Sequence, residues 1–252
     1  MVMANKHIDY IPGCVELGDL DATSTTIGIA PVNELGNIPE PELHRTFDRY
    51  FDYFTKRKLN TVPWNDYTPY ENRIIGSFVY LDQKQRAGDV LNFLMNDRRP
   101  PGWNHWAEVV YRDPRTPKSI GDMPHTWCGS DFIRSARAMF VYEREADEAL
   151  VVGAGIADEW VNDPAGVEVN NLPTYYGNLS YTIKPEAAPD SGPGRRIVAK
   201  LGGDIAMPAG KIVLKSPLSE KIKSVAGDGR WMPAGGNEIR IEKLPATVTI
   251  LY

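Results

Sequence analysis

Between Pro41 and Lys58 the apolar side chains Leu43, Phe47, Tyr50, Phe51 and Phe54 recur at the three- and four-residue spacing of one helix face. Lys56, Arg57 and Lys58 then fall where the negative end of a helix dipole favours cations. A second helix is predicted from Thr68-Pro69-Tyr70-Glu71, with threonine as cap, proline at the first helical position and glutamate three residues after the cap. Ile74, Ile75, Phe78 and Val79 follow on one face. A third helix carries Ala87, Val90, Leu91 and Leu94, and a fourth runs from about Trp127 to Glu143, burying Phe132, Ile133, Ala136, Met139 and Phe140. Asp21 is a natural cap for a short helix from Ala22, a role preferred over a catalytic one in the acidic stretch that also holds Glu16 and Asp19. The segment Arg98–His125 is rich in Pro, Gly and Trp. Loops of that length are functional or disordered, and Trp103, Trp106 and Trp127 argue against disorder.

After Ala149 the pattern changes to short β-type runs. β-type runs are predicted at Leu150–Val152, Val167–Val169, Asn178–Ile183, Ile197–Leu201, Lys211–Leu214, Glu238–Ile241 and Thr247–Tyr252, separated by turn signals such as Asp228-Gly229 and Gly235-Gly236-Asn237. Asp158–Val161 adds a helical turn, and Pro185–Gly194 reads as a loop tip. The change falls near Ala146–Ala149, dividing the chain into a helical part, residues 1–149, and a β-sandwich-like part, residues 150–252. The expected fold class is α+β.

Composition adds exclusions. The 252 residues are 42% hydrophobic and 24% charged, enough apolar surface for a core and unlike a disordered or collagenous chain. No stretch reaches the roughly 18 to 20 apolar residues of a membrane span, and Met1–His7 lacks the apolar centre of a secretory signal, so a soluble chain with no membrane partner is expected. A net charge of −5 disfavours nucleic acid. The imbalance is local: residues 1–149 hold 17 basic and 22 acidic side chains against 11 of each afterwards, and 18 of the 25 aromatic residues fall between His44 and Tyr142. Cys14 and Cys128 form neither a disulfide framework nor a metal pair; free thiols are favoured, with a single pairing left open. His105 and His125 lack a third ligand at metal spacing, so neither a metal nor a cofactor is expected. Gly153-Ala154-Gly155 lacks the third glycine of a dinucleotide loop, and the sequon Asn178-Leu179-Ser180 has meaning only in a secreted chain.

Three carboxylates stand among aromatic and turn residues: Glu71, Glu108 and Asp122. Glycoside cleavage uses such a pair, one carboxyl to protonate the leaving oxygen and one to attack or to activate water, with aromatic faces against the sugar ring. Each has a competing structural duty or none in view. Glu71 suits a capping box and Asp122 could cap the helix near Trp127, whereas Glu108 has no evident local role.

The runs Asp9-Tyr10-Ile11-Pro12-Gly13, Asp19–Thr25, Tyr67-Thr68-Pro69-Tyr70-Glu71-Asn72-Arg73, Gly102–Val109, Gly121–Trp127, Gly153–Ile156 and Leu172–Gly177 resemble the C-terminal part of bacterial six-hairpin glycosidase-like proteins. The resemblance implies an (α/α)6 toroid with its active site at one mouth and a β-sandwich alongside. It makes Glu71 and Glu108 the leading catalytic carboxyls, with Asp122 third, and it assigns Trp64, Tyr67, Tyr70, Arg73, Trp103, Trp106, His125 and Trp127 to binding a carbohydrate substrate. Residues 1–149 supply only about five or six helices of such a toroid. The expectation is therefore a partial toroid, either the C-terminal portion of a longer enzyme or one completed by homo-oligomerisation. A polysaccharide lyase is the second expectation, with His125 and Tyr70 or Tyr111 exchanging the proton and Arg73 neutralising a uronate. A non-catalytic carbohydrate-binding fragment is the third.

Overall fold

A computed structural model describes the chain except for Met1, Pro101, Pro114 and residues 117–121, 187–194 and 233–235. It is a mixed α+β protein with two compact units, Met1–Ala136 and Arg137–Tyr252. The described residues form seven helices and three sheets, two of them five-stranded. No helix among them is long and apolar enough to cross a membrane.

The first unit holds α1 (Val2–Lys6), α2 (Ala22–Ile29), α3 (Glu42–Lys58), α4 (Asn72–Tyr80), α5 (Lys84–Asn96) and most of α6 (Thr126–Phe140). Asp21 caps α2, its carboxylate accepting from the Thr23 and Ser24 amides. In α3 the buried side chains include Leu43, Phe47, Tyr50 and Phe54, the face its spacing predicts. α4 is buried from Asn72 to Val79, the mark of a helix surrounded on all sides. Edge-on aromatic pairs lock three helices together: Phe47 and Phe51 of α3 meet Phe78 of α4, and Phe54 of α3 meets Phe93 of α5. Such pairs add about 0.5–1.5 kcal/mol each beyond their buried area.

α6 departs from its predicted face. Ile133, expected in the core, is 68% exposed, and the buried line runs through Cys128, Asp131, Ser135, Ala138 and Met139. The cause is a polar, close contact with α4. Arg73 of α4 needs Asp131 as its counter-ion, and a Cβ on Gly76 would stand 3.0 Å from the Ser135 hydroxyl. The two short strands of this unit, β1 (Asp66–Tyr67) and β2 (Val110–Tyr111), pair antiparallel and tie the middle of the Arg98–His125 segment to the chain just before α4.

The second unit begins ahead of the predicted boundary at Ala149, because β3 (Val141–Arg144) pairs antiparallel with β4 (Ala149–Val152). The remaining strands are β5 (Val167–Thr174), β6 (Gly177–Glu186), β7 (Arg196–Ile205), β8 (Ile212–Lys215), β9 (Ser224–Gly227), β10 (Gly229–Met232), β11 (Glu238–Ile241) and β12 (Ala246–Leu251). α7 (Asp158–Asn162) is the predicted helical turn. One sheet has the order β10-β11-β8-β4-β3, with β4 and β8 parallel; the other, β5-β6-β7-β12-β9, is antiparallel throughout. Inward residues of both sheets, among them Leu150, Leu214 and Ile239 on one side and Tyr181, Ala199 and Val248 on the other, make one core. β6 continues through Pro185 and Glu186, so these two residues are strand where a loop is predicted, and the rest of that predicted loop, residues 187–194, lies outside the described residues. The predicted turn at 235–237 lies partly outside them too.

The Asp228-Gly229 signal marks a corner and not a hairpin. β9 belongs to one sheet and β10 to the other, so the chain changes sheets there. Any Cβ at Gly229 would come within 2.7 Å of Ile239 and 2.9 Å of Val248, one residue from each sheet, and only glycine fits. Gly153-Ala154-Gly155 is likewise a packing device. A Cβ on Gly155 would lie 2.7 Å from the Met139 backbone.

Candidate functional site

Glu71 lies in the turn of 3-10 helix Pro69–Glu71 that leads into α4, and it is 4% exposed. Thr68 caps this turn by accepting from the Tyr70 amide, but Glu71 does not complete a capping box. Its side chain points to α3, where Arg57 grips both carboxylate oxygens at 2.7 Å and the Tyr50 hydroxyl donates a third bond at 2.7 Å. Burial by itself would lower the Arg57 pKa; the hydrogen bonds and charge of Glu71 instead hold it above the usual guanidinium value. Arg57 also lies over the Tyr67 ring, and the Tyr67 hydroxyl donates to Asp97, itself paired with Arg99. Every oxygen of Glu71 is therefore engaged inside the helical unit, as in a buried structural ion pair.

Glu108, Asp122 and His125 converge instead. One ligating atom from each lies within 4.8 Å of the others, and both carboxylates are exposed. Glu108 is fixed through its backbone: its amide donates to Asp122 Oδ2 at 2.9 Å, and its carbonyl accepts from the Thr68 hydroxyl at 2.8 Å. The Tyr70 hydroxyl stands 3.4 Å from Glu108 Oε1. Asp122 thus holds Glu108 in place and does not cap α6. The capping acceptor is His125, whose Nδ1 receives the Cys128 amide at 3.3 Å.

The Tyr70 ring meets His125 and Trp127 edge-on, each with centroids 5.5 Å apart. Trp127 is 57% exposed. Beneath these rings Arg73 lies 4.4 Å from the Tyr70 centroid and 5.1 Å from that of Trp127, while its Nε donates to Asp131 at 2.6 Å. The other oxygen of Asp131 accepts from Arg134 at 3.2 Å. Burial first, then the Glu108 charge, push the Tyr70 phenol up to about 12. Burial and then the Asp131 charge raise the Cys128 thiol to about 12, leaving it a poor nucleophile.

Of the sequence-predicted residues, Tyr70, Arg73, Glu108, Asp122, His125 and Trp127 come together. The others have separate settings. Trp64 donates to Asn60 and meets Tyr67 edge-on; Tyr67 is buried; Trp103 is exposed; Trp106 is a core residue, its indole N–H donating to the Leu94 carbonyl and its ring packed on Phe132. Tyr111 pairs with Asp66 in the short ladder. Sequence reasoning missed Thr68 as the clamp on Glu108 and Asp131 as the partner of Arg73. Asp131 was detectable: it shares the helical line Cys128–Asp131–Ser135–Ala138, and a carboxylate on that line needs a cation. Thr68 left no comparable signal, since its partner is 40 residues away.

One imidazole and two carboxylates suit a divalent first-row cation, a donor set that the spacing of the histidines conceals. The hydrogen bonding works against that use. A ligand through Nε2 would place a proton on Nδ1, facing the Cys128 N–H, and a ligand through Nδ1 would displace it, so either mode gives up the helix cap. Both cysteines are free. The chain matches no family model, and no curated protein or solved structure shows significant similarity to it.

Proposed function

We propose that the protein is a carbohydrate-cleaving enzyme, or the sugar-facing part of one, acting on glycosidic bonds with Glu108 and Asp122 as its two carboxyls. The observation that carries this reading is their convergence beside an exposed Trp127 and the Tyr70 ring. The resemblance to six-hairpin glycosidase-like proteins accords with it, and the helical unit would then be part of a toroid. Glu71 is set aside, because its carboxylate is committed to Arg57 and Tyr50. One carboxyl would protonate the leaving oxygen while the other attacks the sugar or activates water.

Glu108→Gln is expected to lower the release of new reducing ends from a panel of oligosaccharides by about 10²–10⁴-fold, while stability changes by less than about 0.5 kcal/mol. Full retained activity would remove Glu108 from the chemistry. The edge contact between Tyr70 and His125 favours one second reading, eliminative cleavage of a uronate. Absorbance from an unsaturated product would select it.

A further inference from the structure

Resting on the carbohydrate reading, we propose that this site selects its sugar by charge, taking chains that carry protonated amines, such as glucosamine oligomers, and excluding uronates. Among the described residues, no cation pairs with Glu108 or Asp122; their hydrogen bonds come from the Tyr70 hydroxyl and the Glu108 amide, both uncharged. The one guanidinium under the aromatic rings is spoken for. Arg73 is buried, bonded to Asp131, and Asp131 is shared with Arg134. Two arginines and one aspartate leave a single positive charge behind the rings, against two carboxyls in front of them, so with both of these ionised and His125 uncharged the cluster carries a net charge of −1.

An incoming uronate carboxylate meets two exposed charges of its own sign, and Arg73 would have to leave Asp131 buried and half-compensated in order to turn to it. An ammonium meets the same carboxylates as partners. It can also lie near the exposed Trp127 ring and the half-buried Tyr70 ring, whose faces attract cations. Like-charge rejection combined with opposite-charge attraction is a specificity device, and exposed charges make it sensitive to salt.

The full chain would be tested by titration calorimetry against three oligomers of equal length: glucosamine, glucose and galacturonate, below the pKa of the amine. The glucosamine oligomer is expected to bind about tenfold more tightly than the glucose oligomer at low salt, and within about twofold at ~0.5 M salt, with no measurable galacturonate binding. Glu108→Gln combined with Asp122→Asn is expected to reduce the ratio of glucosamine to glucose affinity at least about fivefold. Galacturonate binding as tightly as glucose, or equal affinities for glucose and glucosamine, would overturn the charge selection and leave the carbohydrate reading standing. Binding of none of the three would overturn both.

Discussion

Glu71 and Glu108 belong to one helical unit and touch neighbouring groups of the same short segment, Thr68–Glu71, yet their carboxylates live under opposite rules. Glu71 is enclosed, with Arg57 and Tyr50 supplying three short bonds. Glu108 is exposed, with its backbone fixed by Thr68 and Asp122 and its carboxylate left with one long contact from Tyr70. The first arrangement uses the charge to join α3 to the start of α4. The second fixes the main chain and keeps the charge available. A carboxylate set among aromatic residues is therefore not informative in itself; what distinguishes these two is whether a cation has already claimed the charge.

The strongest way to break this contrast is at Glu71. Replacing it with Gln leaves the Arg57 guanidinium buried without a counter-charge, and a loss of about 3–5 kcal/mol in urea unfolding is expected. A change below about 0.5 kcal/mol would mean that the pair contributes no more than a surface substitution. A smaller effect is expected at Thr68, whose hydroxyl both receives the Tyr70 amide and holds the Glu108 carbonyl. Thr68→Val should cost about 0.5–2 kcal/mol, and Thr68→Ser should recover most of it. A serine variant no more stable than the valine one would remove the hydroxyl from the account.

The subtlest test sharpens the link between Tyr70 and Glu108. Subtracting the alkaline absorbance titration of Tyr70→Phe from that of the parent should isolate a phenol ionising at about 12. With Glu108→Gln it should fall towards the ordinary value near 10 without reaching it, since burial is the larger cause. The folded state holds this proton more tightly than the unfolded chain. Its contribution to stability is therefore complete below about pH 10 and lost as pH rises to about 12. An unchanged titration in the glutamine variant would show that the two groups do not interact.

Local periodicity made most of the elements legible. The faces of α3 and α5 were readable from it, and seven of the strands of the second unit from short apolar or alternating runs between turn signals. Three strands were not: Val141–Glu143 falls at the end of the predicted fourth helix but belongs to β3, and β9 and β10 were missed since Ser224-Val225-Ala226-Gly227 and Gly229-Arg230-Trp231-Met232 carry little alternation and owe their pairing to partners in different sheets. α6 was misread for a related reason: Ile133 looks like core, but Asp131 occupies the inner line because Arg73 waits there. Arg57 offered the same kind of clue. It falls on the helical line of Tyr50 and Phe54, so a buried arginine called for a buried carboxylate, and Glu71 answers it. The convergence of Glu108, Asp122 and His125 depends on a long connection folding back, and no spacing rule encodes that.

The two backbone bonds of Glu108 also decide when disorder is removed. Fixing one residue's main chain costs about 1–2 kcal/mol of conformational entropy. With its amide on Asp122 and its carbonyl on Thr68, that loss at Glu108 is already incurred when the helical unit folds. A ligand reaching the carboxylate has only the side-chain torsions left to still, roughly 0.5–1.5 kcal/mol. In this respect the connection between α5 and α6 behaves at Glu108 as part of the rigid frame, although in length and composition it is a loop.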